Sequence, residues 1–320
     1  MKKYLRRFKA AVEIAGDSLY DARRFFRWSQ SGRETLNPAQ LRGRMLAKAH
    51  SIEKGLSMPD VRPFFGGAAL KELCHLMTQY QAGNLDLRDP VYLKGRYALA
   101  AYLAFHAGRP LPDELAFILP FSADEPEALN GGVRVVSADD LRRRAKGDFR
   151  EVVLSRHSIR TFSPQPVEPD LIDQAVRLAQ QSPSVCNRQA CGVVLVQDPE
   201  KQKAALEIQG GNRGFGHEVT SLLVVTADLS VFRDSKERNQ AFVDGGLFAM
   251  TLMYALHHAG VGCCPLNWSA DRHKDVRLRR LLGISDDTVI IMLLGVGVLK
   301  PQFSVAASPR RMMSDVVRVV

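Results

Sequence analysis

Two arginines flank a serine in the segment Arg156–Arg160, which reads Arg-His-Ser-Ile-Arg. Guanidinium groups donate paired hydrogen bonds to phosphate and carbonyl oxygens, and the serine hydroxyl adds another donor. The segment lies where a predicted helix ends and the chain enters a loop. Arginine-rich turns are more often solvated or salt-bridged than ligand-binding, so this segment alone is a weak indication of an anion site.

Two later segments have a related chemical character. Ser182–Gln189 follows a predicted helix, and its asparagine and glutamine amides can both donate and accept hydrogen bonds, as recognition of a polar ring edge requires. Ser308–Arg311, near the C-terminus, is again suited to phosphate. Each segment alone is weak, because a Ser-Pro-Ser loop is usually only a helix terminator. Their order and spacing carry the specificity.

The composition is that of an ordinary globular protein, with 320 residues, 46% hydrophobic and 24% charged. This length allows two domains or one large one. No apolar run approaches the roughly 20 residues that span a bilayer, and no secretory signal is recognisable, so we expect a cytoplasmic location. The five cysteines form no C-x-x-C pair, and the histidine spacing offers no ligand set, so we predict neither a disulfide framework nor a metal site.

The net charge of +10 is concentrated in the N-terminal arm, because residues 1–60 hold 13 Lys and Arg but six Asp and Glu. Residues 1–30 have helical periodicity, with an apolar stripe followed by Phe25, Phe26 and Trp28. The stripe consists of Tyr4, Phe8, Ala11, Ala15 and Leu19. Such a helix could lie on an anionic membrane, on its inner face, or dock on a partner. Packing on the protein's own core is the commoner arrangement of an amphipathic helix, and we favour it.

Periodicity divides the chain into a mostly helical region, 1–135, and a region of interleaved helices and strands, 136–320. The connector is Leu119–Gly132, which contains proline, glycine and acidic residues. Predicted helices cover Ala68–Gln81, Pro90–Ala107, a segment from about Asp139 to Arg156, Pro169–Gln181, a segment opened by Asp198 and Pro199, Asn239–Ala259 and a segment from Asp271 to Gly283. Predicted strands are Gly192–Gln197, Val219–Ala227, Val261–Leu266 and Thr288–Val298. A sheet covered by helices is expected.

The ordered segments resemble the nitroreductase-like flavoproteins. The family pattern is Arg-Arg/His-Ser-x-Arg/Lys-x-Phe, a helix, Ser-Pro-Ser-x-x-Asn-x-Gln, an apolar helix, a glycine-containing strand, Leu-Gly-x-Gly and a basic C-terminal segment. The matching segments here are Arg156–Phe162, Ser182–Gln189, Asp244–Gly260, Gly260–Pro265, Leu294–Gly297 and Arg310–Arg311. The resemblance covers about residues 147–320. It implies an α+β fold, with a mixed, largely antiparallel sheet flanked by helices and preceded here by the helical region.

The resemblance also implies bound FMN, NAD(P)H as electron donor, and a homodimer with flavin at the interface. Arg156 and Ser158 would hold the phosphate, assisted by Arg310 or Arg311. Arg160 and Asn187 would face the pyrimidine end of the flavin ring, with Gln189 nearby. The other implied contacts are His157 and Ser184, together with backbone near the reactive N5 edge at Cys264, Pro265 and Leu266. The glycine-rich segment Gly210–Gly216 would be a mobile loop.

The sequence departs from the family pattern in two places. Ala190 and Cys191 stand where Pro-Trp is frequent, and Met312 and Met313 stand where Pro-Leu is common. The first change concerns the pocket wall. The second leaves open whether Arg310 or Arg311 binds phosphate.

The segment His50–Leu56 looks like one fused to this domain in a subgroup associated with cell-surface polysaccharide pathways. His50 and Glu53 are one helical turn apart, and we favour a structural pair over an active-site role.

The sequence therefore predicts an FMN-dependent oxidoreductase with an unidentified small-molecule acceptor. The alternative is a flavin-binding or non-catalytic accessory protein that docks to a membrane-associated assembly through its basic N-terminal helix. Nucleic-acid binding lacks any recognisable motif.

Overall fold

The computed structural model of the protein describes residues 2–28, 35–122, 132–232 and 234–320. Its residues form two compact units, each built from two stretches of chain. One unit contains Met1–Arg23 and Val136–Phe303, and the other contains Arg24–Val135 and Ser304–Val320, which we call the helical unit. The C-terminal stretch, which we placed in the second predicted domain, is therefore compact with the helical unit. Most of the predicted connector, residues 123–131, lies outside the described residues.

The α-helices are α1 (Lys2–Trp28), α2 (Pro38–Leu56), α3 (Gly67–Ala82), α4 (Pro90–Phe105), α5 (Ala138–Ala145), α6 (Phe149–Ser155), α7 (Pro169–Ala179), α8 (Pro199–Gln209), α9 (Gln240–His258) and α10 (Arg272–Leu282). The strands are β1 (Val133–Ser137), β2 (Cys191–Val196), β3 (Ser221–Asp228), β4 (Val261–Asn267), β5 (Thr288–Val298) and β6 (Gln302–Ala306).

Helices α2, α3 and α4 form the core of the helical unit, together with a 3-10 helix over Asp113–Phe121. The start of α2 is fixed by a capping box, in which Asn37 and Gln40 each accept a hydrogen bond from the other's backbone N–H. Asp89 caps α4 by accepting from the backbone N–H of Val91. The apolar faces of α2, α3 and α4 pack against one another, and side chains such as Met77 and Leu99 are completely buried between them.

The other unit is built on a four-stranded antiparallel sheet in the order β2-β3-β5-β4. Helices α7 and α9 pack on it, and their buried residues share one core with Leu223, Val225 and Leu294 of the strands. This arrangement confirms the predicted α+β class, the largely antiparallel sheet and the flanking helices. Strands β1 and β6, which we did not predict, pair in a separate two-stranded sheet.

The helix predicted from about Asp139 to Arg156 is instead two helices, α5 and α6. The break lies at Lys146–Asp148, where α5 ends at Lys146 and Asp148 caps α6 by accepting from the N–H of Glu151. A favourable new N-cap competes with continuation of the preceding helix. Helix α4 likewise ends two residues before the predicted Ala107, with His106 at its C-cap.

The apolar stripe of α1 is exposed, at 78% for Tyr4, 69% for Phe8 and 52% for Leu19. The interpretation that this stripe packs on the protein's own core is therefore wrong for these residues. Arg238 forms ion pairs with Asp17 and Asp21 of α1, at 3.7 and 2.7 Å. The side chains of Phe25, Phe26 and Trp28 lie outside the described part of the chain. Among the described helices, none is long and apolar enough to cross a membrane.

Candidate functional site

The segment Arg156–Phe162 lies beside the edge strand β4. It begins at the C-cap of α6, and the backbone N–H of Ile159 donates to the carbonyl of Cys263 at 3.0 Å. Farther along, Phe162 forms an isolated antiparallel bridge with Leu299. We call Arg156–Phe162 the arginine segment.

Phe162 anchors the arginine segment through two close approaches to glycine. A Cβ atom at Gly297 would lie 2.7 Å from Phe162 Cγ, and one at Gly262 would lie 3.0 Å from Phe162 Cε1. No side chain fits at Gly297 while the phenyl ring stays in place, and one at Gly262 would also meet Leu299 Cδ2 at 2.9 Å. The backbone N–H of Phe162 also donates to Glu218 Oε2 at 2.7 Å, and Lys300 Nζ donates to Glu218 Oε1 at 3.0 Å.

Arg160 is 7% exposed, although its side chain is charged. Its Nη1 donates to the carbonyl of Ser158 at 3.3 Å, and its Nε atom is buried without an acceptor among the described residues. A buried donor without a partner costs about 1–3 kcal/mol. The orphaned N–H therefore favours an acceptor that the isolated chain does not itself provide.

A buried serine and histidine support the arginine segment from behind. Ser155 Oγ and His257 Nε2 are hydrogen-bonded at 2.8 Å, and the two residues are 2% and 3% exposed. Burial, followed by the charge of nearby Arg156, lowers the pKa of His257 to about 4. The imidazole is therefore neutral at pH 7, so it positions Ser155 without adding charge beside Arg156.

The thiol of Cys263, on the neighbouring strand, is inert. Burial is the main cause that raises its pKa well above the usual range, so it remains protonated at pH 7.

The segment Ser182–Gln189, which we call the amide segment, lies along α9 between Thr251 and Asp244. Ser182 Oγ donates to Thr251 Oγ1 at 2.7 Å, and the backbone N–H of Val185 donates to Asp244 Oδ2 at 3.2 Å. Asp244 is 2% exposed, and its other oxygen accepts from Gln240 Nε2 at 2.8 Å.

The backbone of the amide segment is strained. Cys186, Asn187 and Gln189 have φ values of 50°, 53° and 53°, a region that residues with a side chain rarely adopt. Ser184 Oγ supports this turn by accepting from the Gln189 N–H at 3.0 Å. Asn187 and Gln189 are exposed, and strain of this kind is concentrated at functional sites.

Arg188 of the amide segment has a structural partner. Its two Nη atoms donate to the carboxylate of Glu237 at 2.9 and 2.7 Å, and its guanidinium lies over the ring of Phe232. The exposed asparagine and glutamine are therefore the groups of this segment left to meet a ligand. A small cavity of about 90 Å³ adjoins Gln189 and is also lined by Ser184 and Asp244.

One chain does not bring the arginine and amide segments together. Asp244 contacts the amide segment near the start of α9, and His257 supports the arginine segment near its end. Asp244 and His257 are thirteen positions apart in α9, or roughly 20 Å at 1.5 Å per residue. The segments also lie at opposite edges of the sheet, since Gln189 directly precedes edge strand β2 and the arginine segment is hydrogen-bonded to edge strand β4.

Sequence reasoning missed the residues that hold the loop 210–218 at the β4 edge of the sheet. Gln209 Nε2 donates to the carbonyl of Asn267 at 3.0 Å, next to the predicted contacts Cys264, Pro265 and Leu266 on β4. Glu218, at the other end of the loop, binds Phe162. A lone glutamine and a lone glutamate carry no recognisable spacing signal. The predicted mobility of Gly210–Gly216 stays a prediction.

Arg310 and Arg311 belong to the helical unit. Both are exposed, and they line a cavity there with Lys94. Ser308 Oγ lies 3.3 Å from His50 Nδ1, so the segment contacts α2 through a hydrogen bond. The assignment of Arg310 or Arg311 to a phosphate stays a prediction.

The sequence profile of the nitroreductase family matches residues 153–212 and 202–298. The C-terminal half of the chain contains a nitroreductase-family domain. The match begins just before the arginine segment and includes the amide segment and β4. The nitroreductase domain thus covers both edges of the sheet at which the predicted contacts lie.

Two relatives from Bacillus subtilis (strain 168) match this part of the chain. An FMN reductase [NAD(P)H] is 27% identical over 136 residues, which are 37% of this chain and 54% of the relative. An FMN reductase (NADPH) is 25% identical over 162 residues, 46% of this chain and 64% of the relative. The chain thus spans between about half and two thirds of the length of these relatives.

Two solved structures are similar to about half of the chain. An FMN-dependent nitroreductase from Clostridium difficile is 20% identical, with 46% of this chain and 85% of that chain covered and a TM-score of 0.41. A nitroreductase from Bacillus subtilis is 23% identical, with 47% and 65% covered and a TM-score of 0.42.

Proposed function

We propose that this protein is an FMN-dependent oxidoreductase that carries electrons from NAD(P)H through bound flavin to a small-molecule acceptor. The observation that carries the proposal is the buried Arg160, whose orphaned Nε–H lies in the nitroreductase-family segment beside β4. The two Bacillus subtilis relatives, named as FMN reductases, support the same cofactor and the same donor.

The residues present fit FMN in their chemistry. Arg156, His157 and Ser158 can donate to a phosphate, because charged and hydroxyl donors are the usual partners of phosphate oxygens. Arg160 supplies a buried cation and a free donor for a carbonyl edge of the ring. Bound FMN would supply the hydride chemistry, and the protein's part is to bind the flavin, orient it and tune its electrostatics.

The remaining predicted contacts fall into two groups. Backbone at Pro265 and Leu266 is already beside the arginine segment on β4, whereas Ser184, Asn187 and Gln189 are at the other edge of the sheet. A site that uses both groups needs a second copy of the chain. We therefore propose a homodimer in which the arginine segment of one protomer faces the amide segment of its partner.

An exposed apolar stripe on α9 supports this homodimer. Val243 and Leu247 are 54% and 44% exposed, and Met250 and Tyr254 continue the same helical face half-buried. Phe149, 75% exposed, extends the patch by an edge contact with the Tyr254 ring. Contiguous exposed apolar surface of this kind marks an interaction surface. The stripe joins the two ends of α9 at which the proposed half-sites lie.

The central experiment is a cofactor analysis of the purified chain. We expect a yellow protein whose heat-released supernatant contains FMN by chromatography, and whose flavin is reduced by NADH or NADPH in stopped-flow measurements. A screen of acceptors against the reduced protein then identifies the substrate class. A colourless protein that does not bind added FMN would contradict the proposal and favour the accessory-protein alternative.

We further propose that α1 makes a peripheral contact with anionic lipid on the inner face of the membrane. Its exposed apolar residues share the helix with Arg6, Arg7 and Lys9, and each basic residue near such a surface contributes about 1 kcal/mol. The full chain should co-sediment with phosphatidylserine vesicles at low salt, and deletion of residues 1–30 should abolish this. Equal sedimentation of the truncated chain would exclude the role. The segment His50–Leu56 is the basis for the expectation that the protein acts in a polysaccharide pathway.

A further inference from the structure

A cavity of about 360 Å³ lies within the helical unit, bounded by α2, α4 and the C-terminal segment. Its volume is in the range of small-molecule sites, which are usually about 300–1,000 Å³. Apolar side chains from all three segments line it, including Leu46, Leu93 and Met312. Tyr97 and the cations Lys94, Arg310 and Arg311 complete the wall.

Lys94 is a buried cation at this cavity. The residue is 8% exposed, and its Nζ lies 3.9 Å from Glu53 Oε2, which is an ion pair but too long for a hydrogen bond. Burial lowers the pKa of Lys94, the Glu53 carboxylate opposes this, and Arg310 lowers it further. An anion placed between Lys94 and Arg310 would relieve their repulsion and favour the charged lysine.

Glu53 makes the arrangement unusual. It is 0% exposed, and neither of its carboxylate oxygens accepts a hydrogen bond within the described residues. His50 Nδ1 is the other neighbouring group, at 3.7 Å. A carboxylate buried in this way is strongly destabilising unless cations compensate it. Glu53 therefore serves to retain a charged lysine at the cavity, which a purely structural core would not require.

We propose that this cavity binds a small organic phosphate, with its phosphate group on Lys94, Arg310 and Arg311 and its less polar body against Leu46, Met312 and Tyr97. The three cations and the single carboxylate of Glu53 leave a net charge of +2. A phosphate monoester carries about −1.5 to −2 at pH 7, whereas a carboxylate carries only −1. Paired guanidinium donors also match phosphate oxygens in geometry.

Most residues that line the cavity come from a part of the chain that the flavin site proposed above does not use. Lys94, Glu53 and Tyr97 precede the nitroreductase-family match, which begins at residue 153. Arg310 and Arg311 are the residues that the two sites could share, since the sequence also predicts them as partners of the flavin phosphate. The experiment must therefore distinguish a free phosphate ligand from the phosphate of FMN.

Isothermal titration of the full chain with phenyl phosphate, in the presence of saturating FMN, provides this test. We expect saturation at one ligand per chain, and binding of benzoate at least tenfold weaker, because benzoate has the same ring but one negative charge. Arg310→Gln should weaken phenyl phosphate binding roughly tenfold to a hundredfold, as expected for one charge-assisted contact.

Lys94→Met would leave Glu53 buried without its cation and endanger folding, so the variant to use is the double change Glu53→Gln with Lys94→Met. It should show a loss similar to that of Arg310→Gln, with an unchanged circular dichroism spectrum. The matched controls are Lys71→Met and Arg109→Gln, exposed cations of the same unit, and both should bind phenyl phosphate as the wild type does.

Three outcomes would overturn the proposal. They are an absence of saturable binding, equal affinity in the cavity variants and their controls, and loss of phenyl phosphate binding in direct proportion to FMN occupancy. The last would mean that the cations serve the flavin phosphate. If the chain binds no FMN, the same titration is made without it, so a failed flavin proposal remains distinguishable from a failed cavity proposal.

Discussion

Arg156 and Arg160 are four residues apart yet lie in different environments. Arg156 is half-buried at the end of α6, and Arg160 is buried with an orphaned Nε–H. Contacts to a phosphate act equally on oxidised and reduced flavin, so they contribute affinity. A cation at the ring edge stabilises the reduced anion preferentially, and only such a difference shifts a redox potential.

Arg156→Ala should therefore weaken FMN binding by about 1.5–3 kcal/mol, or roughly tenfold to a hundredfold. Arg160→Ala should retain more flavin but lower its midpoint potential and slow its reduction. Flavin fluorescence gives the dissociation constants, and dye equilibration gives the potentials. Arg150→Ala, at an exposed arginine of α6, is the control. An unchanged potential in Arg160→Ala would show that the two roles are assigned wrongly.

His257 adds a pH dependence at the same scale. Burial lowers its pKa to about 4 from the usual 6.5, so below pH 6.5 the unfolded chain takes up the proton first. The stabilising effect of a neutral His257 is complete above pH 6.5 and is lost as the pH falls towards 4.

Over that interval the free energy of unfolding should fall on the order of 3 kcal/mol more in the wild type than in His257→Gln. Urea unfolding at pH 7 and pH 4 measures the difference. His273→Gln changes an exposed histidine and should follow the wild type. Parallel pH curves for wild type and His257→Gln would contradict a buried neutral imidazole.

At the scale of elements, α9 contacts the amide segment through Asp244 and supports the arginine segment through His257, and its outer face exposes an apolar stripe. Its two adjacent glycines lie in opposite surroundings. A Cβ at Gly245 would meet Ile291 at 2.6 Å, whereas a Cβ at Gly246 would have no atom within 4 Å. Gly246 therefore allows a side chain to be added to the outer face without disturbing the protomer.

Gly246→Arg should yield a folded monomer with little bound FMN, because the new charge lies in the proposed dimer surface. The helix itself should gain up to about 1 kcal/mol from the removal of a helical glycine. Gly246→Ala shares that gain without the bulk and should remain a dimer. Light scattering after size-exclusion chromatography measures both. A dimeric, fully loaded Gly246→Arg would place the interface elsewhere.

At the scale of the whole molecule, the placement of the arginine and amide segments at opposite edges of the sheet makes a strong prediction about mixed dimers. Arg156→Ala removes one half of a site and Asn187→Ala the other. If each site combines the two halves from different protomers, a mixed dimer has one intact site and one with both changes.

Randomly mixed subunits should then recover roughly a quarter of the wild-type high-affinity flavin sites, although each variant alone has none. Flavin content at limiting FMN, measured after subunit exchange, decides this. Mixing wild type with wild type under the same conditions is the control. No recovery would place both halves of each site in one chain.

The sequence determined the elements of the nitroreductase domain well because each had a local cause. The apolar run of β5 was predicted with its observed bounds, and Asp271 and Gly283 marked the ends of α10 through capping. The arginine and amide segments were recognisable for a similar reason, because their donors are close together along the chain. The N-cap at Asp148 that separates α5 from α6 is also a local signal, but the apolar periodicity continues from one helix to the next, so we predicted a single helix.

Only the tertiary structure decided what lies beside what. Three contacts join residues whose separations along the chain carry no periodic signal: Phe162 with Glu218, Ser155 with His257, and Lys94 with Glu53. The contact between His50 and Glu53 differs, because one helical turn separates these residues in the sequence. The placement of the arginine and amide segments at opposite edges follows from the order of strands in the sheet, which local propensity does not specify. The exposure of α1 was beyond the sequence too, because amphipathic periodicity states which face is apolar but not what covers it.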